Sequence, residues 1–288
     1  MGDEAMELML NPKPRLSVLI ATCRPDGIER VVAMDLPVVD GVHYWVSWQM
    51  HDNLPVPEPL ASRADVTVLR ADSIGSSNNR NNLLEKAEGE IFLIADDDLR
   101  YTPDQLSSII KTFDNNPEVD YASFMYTGAD AKSYPSVSCS LRPIPKYFSQ
   151  TCFEVAIRCN EETAKLRFNT YFGIAAPTLC AAEDEIFLLQ AVRSGLNCRF
   201  FPIVITHHAG LTTGKRRITD YGVLKASGAV IFIQYPFTAM LRVPLKAWRL
   251  SKSGQAPFCK SLWYLCKGVW HLWTNRDVRH SVKFKCQV

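Results

Sequence analysis

Residues 91–103 read IFLIADDDLRYTP, an apolar run that delivers Asp96, Asp97 and Asp98 at its carboxyl end. The run reads as a buried strand. Strands tend to exclude Asp, and three adjacent carboxylates repel one another. Their position makes sense where a divalent cation or a ligand meets the strand end. Open α/β sheets bind ligands outside the carboxyl ends of their strands, and hard cations take oxygens from carboxylates and phosphates. The competing reading is a solvated acidic turn, with Asp98 favouring the start of a helix near Pro103.

On either side of this run, strand and helix signals alternate. LSVLIA (16–21), HYWVSW (43–48) and VTVLR (66–70) are short apolar or β-branched runs, and CRPDG (23–27) reads as a turn. SSNNRNNLLEKAEGE opens with capping-type residues and carries Leu83, Leu84 and Ala87 at helical spacing. PDQLSSIIKTFDNN (103–116) predicts an amphipathic helix with Pro at its start, and VDYASFMY (119–126) a further strand. The expected fold class is therefore α/β, a mostly parallel sheet with helices on both faces.

Residues 127–182 give weaker signals, with strands expected in SVSCSLRPIP and FEVAIRC. AEDEIFLLQAVRSGL is a clear helix whose first turn holds Glu183, Asp184 and Glu185. Acids there complement the helix dipole, so a plain stabilising role competes with a chemical one. CRFFPIVI (198–205) predicts a strand that delivers Thr206, His207 and His208 at its end.

A chain of 288 residues, 47% apolar, can bury a large core in one or two domains. Its nine cysteines show no CxxC pairing, which argues against a zinc site or a disulfide framework and for free thiols in a reducing cytosol. The first fifteen residues are acidic, lack a long apolar core and do not read as a secretory signal. The net charge of +2 hides an asymmetry: residues 211–288 hold 14 Lys and Arg against Asp220 and Asp277 alone. Trp248, Trp263, Trp270 and Trp273 lie in the same stretch. Basic residues interleaved with Trp suggest amphipathic helices at an anionic membrane surface; simple packing on the rest of the chain is the alternative. The uncharged run 226–241 contains Gln234 and Pro236 and falls short of the ~20 residues a spanning helix needs. Peripheral contact on the inner face of the membrane is expected over a span, with no nucleic-acid partner.

Taken in order, these pieces resemble the family 2 glycosyltransferases, which have the GT-A nucleotide-diphospho-sugar transferase fold. The resemblance covers roughly residues 16–214. It rests on SVLIATCRPDG, GSSNNRNNLLEKAEGEIFLIADDD, AEDEIFLLQAVRSGL and ITHHAGLTTG. It implies an N-terminal lead (1–15), a GT-A catalytic domain (16–214) and a basic, Trp-rich helical extension (215–288). Two departures stand out. Cys23, Arg24 and Pro25 replace the usual polar residues after the first strand. Strand two ends in Trp48, Gln49 and Met50, where the family carries an acid near the base and ribose.

The resemblance implies sugar transfer from a nucleoside-diphosphate-sugar, a UDP-sugar favoured, to a saccharide or lipid-linked saccharide acceptor. Mn²⁺ or Mg²⁺ would neutralise the leaving diphosphate. Asp96 and Asp98 are the expected metal ligands, joined by His207 or His208. Thr22, Arg24, Gln49, Arg80, Asp96 and Asp97 are expected to meet the nucleotide-sugar. Asp184 is the implied base, and Glu183 a second choice. Two other classes compete: a Mg²⁺-dependent nucleotidyltransferase, and a non-catalytic carbohydrate- or membrane-binding module on the same fold.

Overall fold

The first strand, β1 (Leu16–Cys23), is buried almost throughout and leads into helix α1 (Arg24–Ala33). Then follow β2 (Val42–Gln49), the short α2 (Glu58–Ala61), β3 (Val66–Ala71), α3 (Ser76–Lys86) and β4 (Ile91–Asp96). After β4 come β5 (Leu99–Arg100), α4 (Pro103–Asn115), β6 (Tyr121–Gly128), β7 (Cys139–Ser140) and β8 (Val155–Arg158). Helix α5 (Glu183–Arg193) precedes β9 (Cys198–His208). The last four helices are α6 (Tyr221–Gln234), α7 (Ala239–Lys252), α8 (Phe258–Thr274) and α9 (Arg276–Ser281). The computed structural model describes residues 13–129, 132–146, 148–210 and 220–283. The expected lead through residue 12, the motif residues 211–214 and the expected boundary at 214/215 lie outside the described residues.

Among those residues the strands form one nine-stranded sheet of order β3-β2-β1-β4-β8-β6-β9-β5, with β7 pairing β9. β3, β2, β1 and β4 run parallel, as do β6 and β9; β8 is antiparallel to β4 and β6, and β5 and β7 to β9. The GT-A-type α/β sheet expected from the sequence is present. Side chains alternate across it. Leu16, Val18 and Ile20 of β1 join Ile91, Leu93 and Ala95 of β4 in one core with Ile28 and Val31 of α1 and Leu106, Ile109 and Phe113 of α4. On the opposite face the Ser47 hydroxyl accepts from Asn82 of α3 at 2.8 Å, and the Ser17 hydroxyl donates to the Glu88 carbonyl at 2.5 Å. Helices therefore cover both faces.

Several local readings change. CRPDG is not a free turn: Pro25 and Asp26 stand in the first turn of α1, the position where Pro costs no hydrogen bond and an acid meets the helix dipole. SVSCSLRPIP yields a strand of only two residues. FEVAIRC divides into a 3₁₀ turn (Cys152–Glu154) and β8. His207 and His208 lie within β9 rather than beyond it. The described cysteines are free, and burial pushes the Cys159 and Cys198 thiols up to about 12.

The chain clusters into two units. The first comprises Met1–Ile74, Asn79–Leu166 and Leu196–Gly210, and so holds the sheet; the second comprises Gly75–Asn78, Arg167–Gly195 and Leu211–Val288. In the second unit α6 and α8 cross at van der Waals distance. A Cβ on Gly228 would lie 2.0 Å from the Leu265 carbonyl oxygen, and one on Gly268 would lie 1.9 Å from that of Lys225. Only glycine permits such an approach. Val243 and Ala247 of α7 complete this small core with Leu265.

Gly268→Leu must separate the two helices, and it is expected to cost about 3 kcal/mol, the upper range for overpacking. Urea unfolding of the full chain, read as a lower midpoint at unchanged slope, checks this.

Candidate active site

The chain winds outward from β1 to β2 and β3, then returns to place β4 on the other side of β1. The order therefore reverses between β1 and β4. In open α/β sheets that reversal opens a crevice at the strands' carboxyl ends. The register places Ala21 opposite Asp96 and Cys23 opposite Gln49, so Thr22, Gln49 and the acid triplet gather at this end.

The three carboxylates are sent in three directions. Asp96 closes β4 and accepts from the buried Arg80 of α3 at 2.7 Å. Asp97 turns toward α1: it accepts from Thr22 Oγ1 at 2.6 Å and from Arg30 Nη2 and Nε at 2.9 and 3.1 Å. Burial pushes the Asp97 carboxyl above the usual carboxylate range, against the opposing pull of Arg30 and Thr22. Asp97, and after it Asp26, holds the Arg30 guanidinium above its ordinary value. Asp98 lies in the turn between β4 and β5, its Oδ2 3.3 Å from His208 Nε2.

Strand pairing explains that last contact. β5 runs antiparallel to β9 with Leu99 opposite His208, which brings Asp98 to the imidazole. Alternation along β9 then separates the two histidines. His208 is buried; His207 is exposed, with Nδ1 3.3 Å from the Thr127 hydroxyl. The His208 ring stacks on Phe153 at 5.3 Å and meets Tyr126 edge-on. Phe153 belongs to the 3₁₀ turn anchored by the fully buried Glu154, whose carboxylate accepts from Lys132, Tyr134 and Thr151.

Asp98 and His208 offer one oxygen and, with the ring proton on Nδ1, one nitrogen donor. That mixed set suits Mn²⁺ as well as Mg²⁺. Among the described residues no group of three or more His, Cys, Asp or Glu side chains is placed to hold a metal ion. The pair therefore fits a cation that takes its other positions from phosphate oxygens and water, the usual habit of Mg²⁺ at nucleotides. Asp96, expected as a ligand, is engaged by Arg80.

The remaining expected residues divide between the units. In the first, Arg24 is exposed, with a left-handed φ of +68°, and its carbonyl accepts from Trp48 Nε1 at 2.9 Å. Gln49 is buried and donates to the Ser73 hydroxyl at 3.1 Å. Asn79 donates to the Thr22 carbonyl at 2.8 Å, fixing the end of β1. In the second unit Glu183 is buried and accepts from Ser76 Oγ at 3.1 Å, while Asp184 is half-buried. Ala182, the residue before α5, sits at φ +75°; a non-glycine residue there stores strain of the kind found at functional turns. Gly173 stands at φ +107°, where a Cβ would lie 2.6 Å from Ser76 Oγ and 3.2 Å from Glu183 Cδ. Any other residue would disturb the Glu183 carboxylate.

Arg30, Asn79, Ser76 and Phe153 are the site residues that the sequence reading missed. For Arg30 a signal existed: Pro25 at the start, Asp26 in the first turn and Ile28, Val31 and Val32 behind it describe a helix with Arg30 one turn after Asp26.

The sequence profile of "Glycosyl transferase family 2" matches residues 56–174, a span that includes Arg80 and the three acids. Over that span the chain is similar to the family 2 glycosyltransferases. Thr22, Gln49, Glu183, Asp184 and both histidines fall outside the matched span. No curated protein matches the chain. Among solved structures, S. aureus TarS 1-349 aligns with a TM-score of 0.52 at 14% identity, over 94% of this chain and 75% of that one. TarS 1-349 in complex with UDP-GlcNAc gives 0.51 at 14% identity, over 94% and 76%. In complex with UDP it gives 0.50 at 15%, over 76% and 65%. The chain spans 40% of the longer TarS chain. At these identities the shared property is the fold.

Arg30→Gln leaves Asp97 buried without its bidentate donor. The expected loss is about 1–2 kcal/mol at neutral pH. A carboxyl whose folded pKa is raised favours the fold at low pH, and that contribution disappears as pH rises through the folded pKa. Removing Arg30 raises the value further, so the penalty should shrink toward about pH 4. Denaturation midpoints of both proteins across that range check the trend.

Proposed function

We propose that the protein is a metal-dependent, inverting glycosyltransferase that moves a sugar from a nucleoside-diphosphate-sugar to a saccharide or lipid-linked saccharide acceptor. The observation that carries this reading is the acid triplet at the β1/β4 reversal, inside the span matched by the family, with Asp98 beside His208. The TarS structures with UDP and UDP-GlcNAc make uridine donors the first to test.

In this reading Asp98 and His208 would hold Mn²⁺ or Mg²⁺, which would supply positive charge to offset that of the leaving diphosphate. Arg80 fixes Asp96, and Arg30 with Thr22 fixes Asp97, so both carboxylates present a set orientation to the ribose and sugar. Gln49 and Arg24, at the ends of β2 and β1, line the nucleotide side. Asp184 takes the acceptor hydroxyl's proton as the new C–O bond forms at the anomeric carbon and the bond to the diphosphate oxygen breaks. The nucleoside diphosphate leaves with its electron pair, and the anomeric configuration inverts. Glu183, tied to Ser76, positions the start of α5. The domain division at 214/215 belongs to this same reading.

Two outcomes are expected. Asp98→Ala should abolish Mn²⁺-dependent UDP binding in calorimetry without lowering stability, because it removes one of three crowded acids. Unchanged Mn²⁺-dependent affinity would remove Asp98 from the site. Asp184→Asn keeps the shape but accepts no proton, so turnover should fall at least ~100-fold, the lower scale for a lost general base, while donor affinity holds. An active Asp184→Asn beside a dead Glu183→Gln would transfer the role to Glu183.

A further inference from the structure

Helices α7 and α8 bury one side of themselves and expose apolar stripes on the other. On α8 the inner side is Leu265, Gly268 and Leu272, while Trp263, Cys266, Trp270 and Trp273 line its outer side at helical spacing. Trp263 and Trp270 are each 61% exposed. On α7 the inner side is Val243, Ala247 and Leu250, and Met240, Leu241, Leu245 and Trp248 face outward. The two stripes share one face: Met240 and Pro244 line a single groove with Cys266, Trp270 and Trp273. At the corner between α6 and α7, Phe237 is 99% exposed. Exposed aromatic and aliphatic groups this concentrated mark an interaction surface rather than scattered surface apolars.

Charge decides the occupant. Helices α6, α7 and α8 contain no Asp or Glu, and residues 220–283 hold ten Lys and Arg against Asp220 and Asp277. On α7 the cations Arg242, Lys246 and Arg249 form a separate stripe beside the apolar one. Elsewhere they sit against the aromatics: Lys252 lies 5.0 Å from the Trp248 ring, and Lys267 5.1 Å from that of Trp263. A second copy of the chain would bring like charges together. An anionic bilayer meets both requirements, since it takes the apolar stripe into its acyl boundary and the cations into its headgroups. The helices have 14, 14 and 17 residues, and among the described residues none is long and apolar enough to cross a membrane. Each stripe runs along its helix, so the helices lie parallel to the surface.

We propose that the joint outer face of α7 and α8 docks the protein onto an anionic lipid bilayer, with Trp270 and Trp273 at its apolar centre and Lys246 and Arg249 on its basic flank. This docking stands independently of the transferase reading.

The test uses the full chain with phosphatidylcholine vesicles and with mixed phosphatidylcholine–phosphatidylglycerol vesicles. Co-sedimentation with the anionic vesicles should exceed that with the neutral ones at least ~10-fold at about 0.05 M salt and fall sharply at about 0.5 M. Tryptophan emission should shift to the blue on binding. Trp270→Glu/Trp273→Glu and Lys246→Glu/Arg249→Glu should each reduce binding at least ~10-fold while thermal unfolding and nucleotide affinity stay unchanged. Equal binding to both vesicle types, or none at low salt, overturns the proposal. So does release by millimolar glycerol phosphate, which would reveal a headgroup pocket, or a dimer in light scattering that the Trp270→Glu/Trp273→Glu change dissolves.

Discussion

Three consecutive carboxylates at the end of one strand set the terms for the rest of the sheet. Their mutual repulsion is relieved by giving each its own partner on a different element: Arg80 on α3, Arg30 on α1 and His208 on β9. That division requires α1 and α3 on opposite faces of β1 and β4, and it requires β5 to pair with β9 rather than run free. The parallel half of the sheet supplies the first condition; the register of Leu99 with His208 supplies the second. Folding and site assembly are thus one requirement in this unit. The arrangement that lets the acids coexist leaves Asp98 as the one whose partner is an imidazole rather than a guanidinium.

Much of this was legible in the chain. β1 and β4 are buried along nearly their whole length, so each appears as an apolar run. The acid triplet announced itself because strands exclude Asp. Helix α1 was hidden, since RPDG carries the local chemistry of a turn as readily as that of a helix start. β7 and β8, with two and four residues, lie inside the segments SVSCSLRPIP and FEVAIRC where strands are expected, but are too short for periodicity to show their limits. The choice between His207 and His208 depends on which face of β9 meets β5, and that is a property of pairing that no single segment contains. Arg30 and Asp97 meet across 67 positions of sequence, and neither residue's neighbours mention the other.

The second unit obeys a different constraint. Its helices pack through glycine contacts at Gly228 and Gly268 and need few large residues inside. The bulk that a larger interior would absorb, four tryptophans among it, remains outside and concentrated on α7 and α8. Near the start of α5 the backbone is forced instead of smoothed: Ala182 and Ala175 both adopt left-handed conformations, and Gly173 presses against Glu183. Strain at the carboxylates and closeness at the helix crossing both fix position at the expense of adaptability.

The Glu154 cluster carries a consequence for how sequence variation in this protein reads. Lys132, Tyr134 and Thr151 touch none of the three acids, yet they hold the turn on which Phe153 supports the His208 ring. Natural variants at those positions would look like harmless loop polymorphisms on a linear map. Their effects should nonetheless cluster with changes at His208, so an inherited pattern of tolerated and forbidden exchanges would trace the hidden support of the imidazole more faithfully than proximity to the acid triplet.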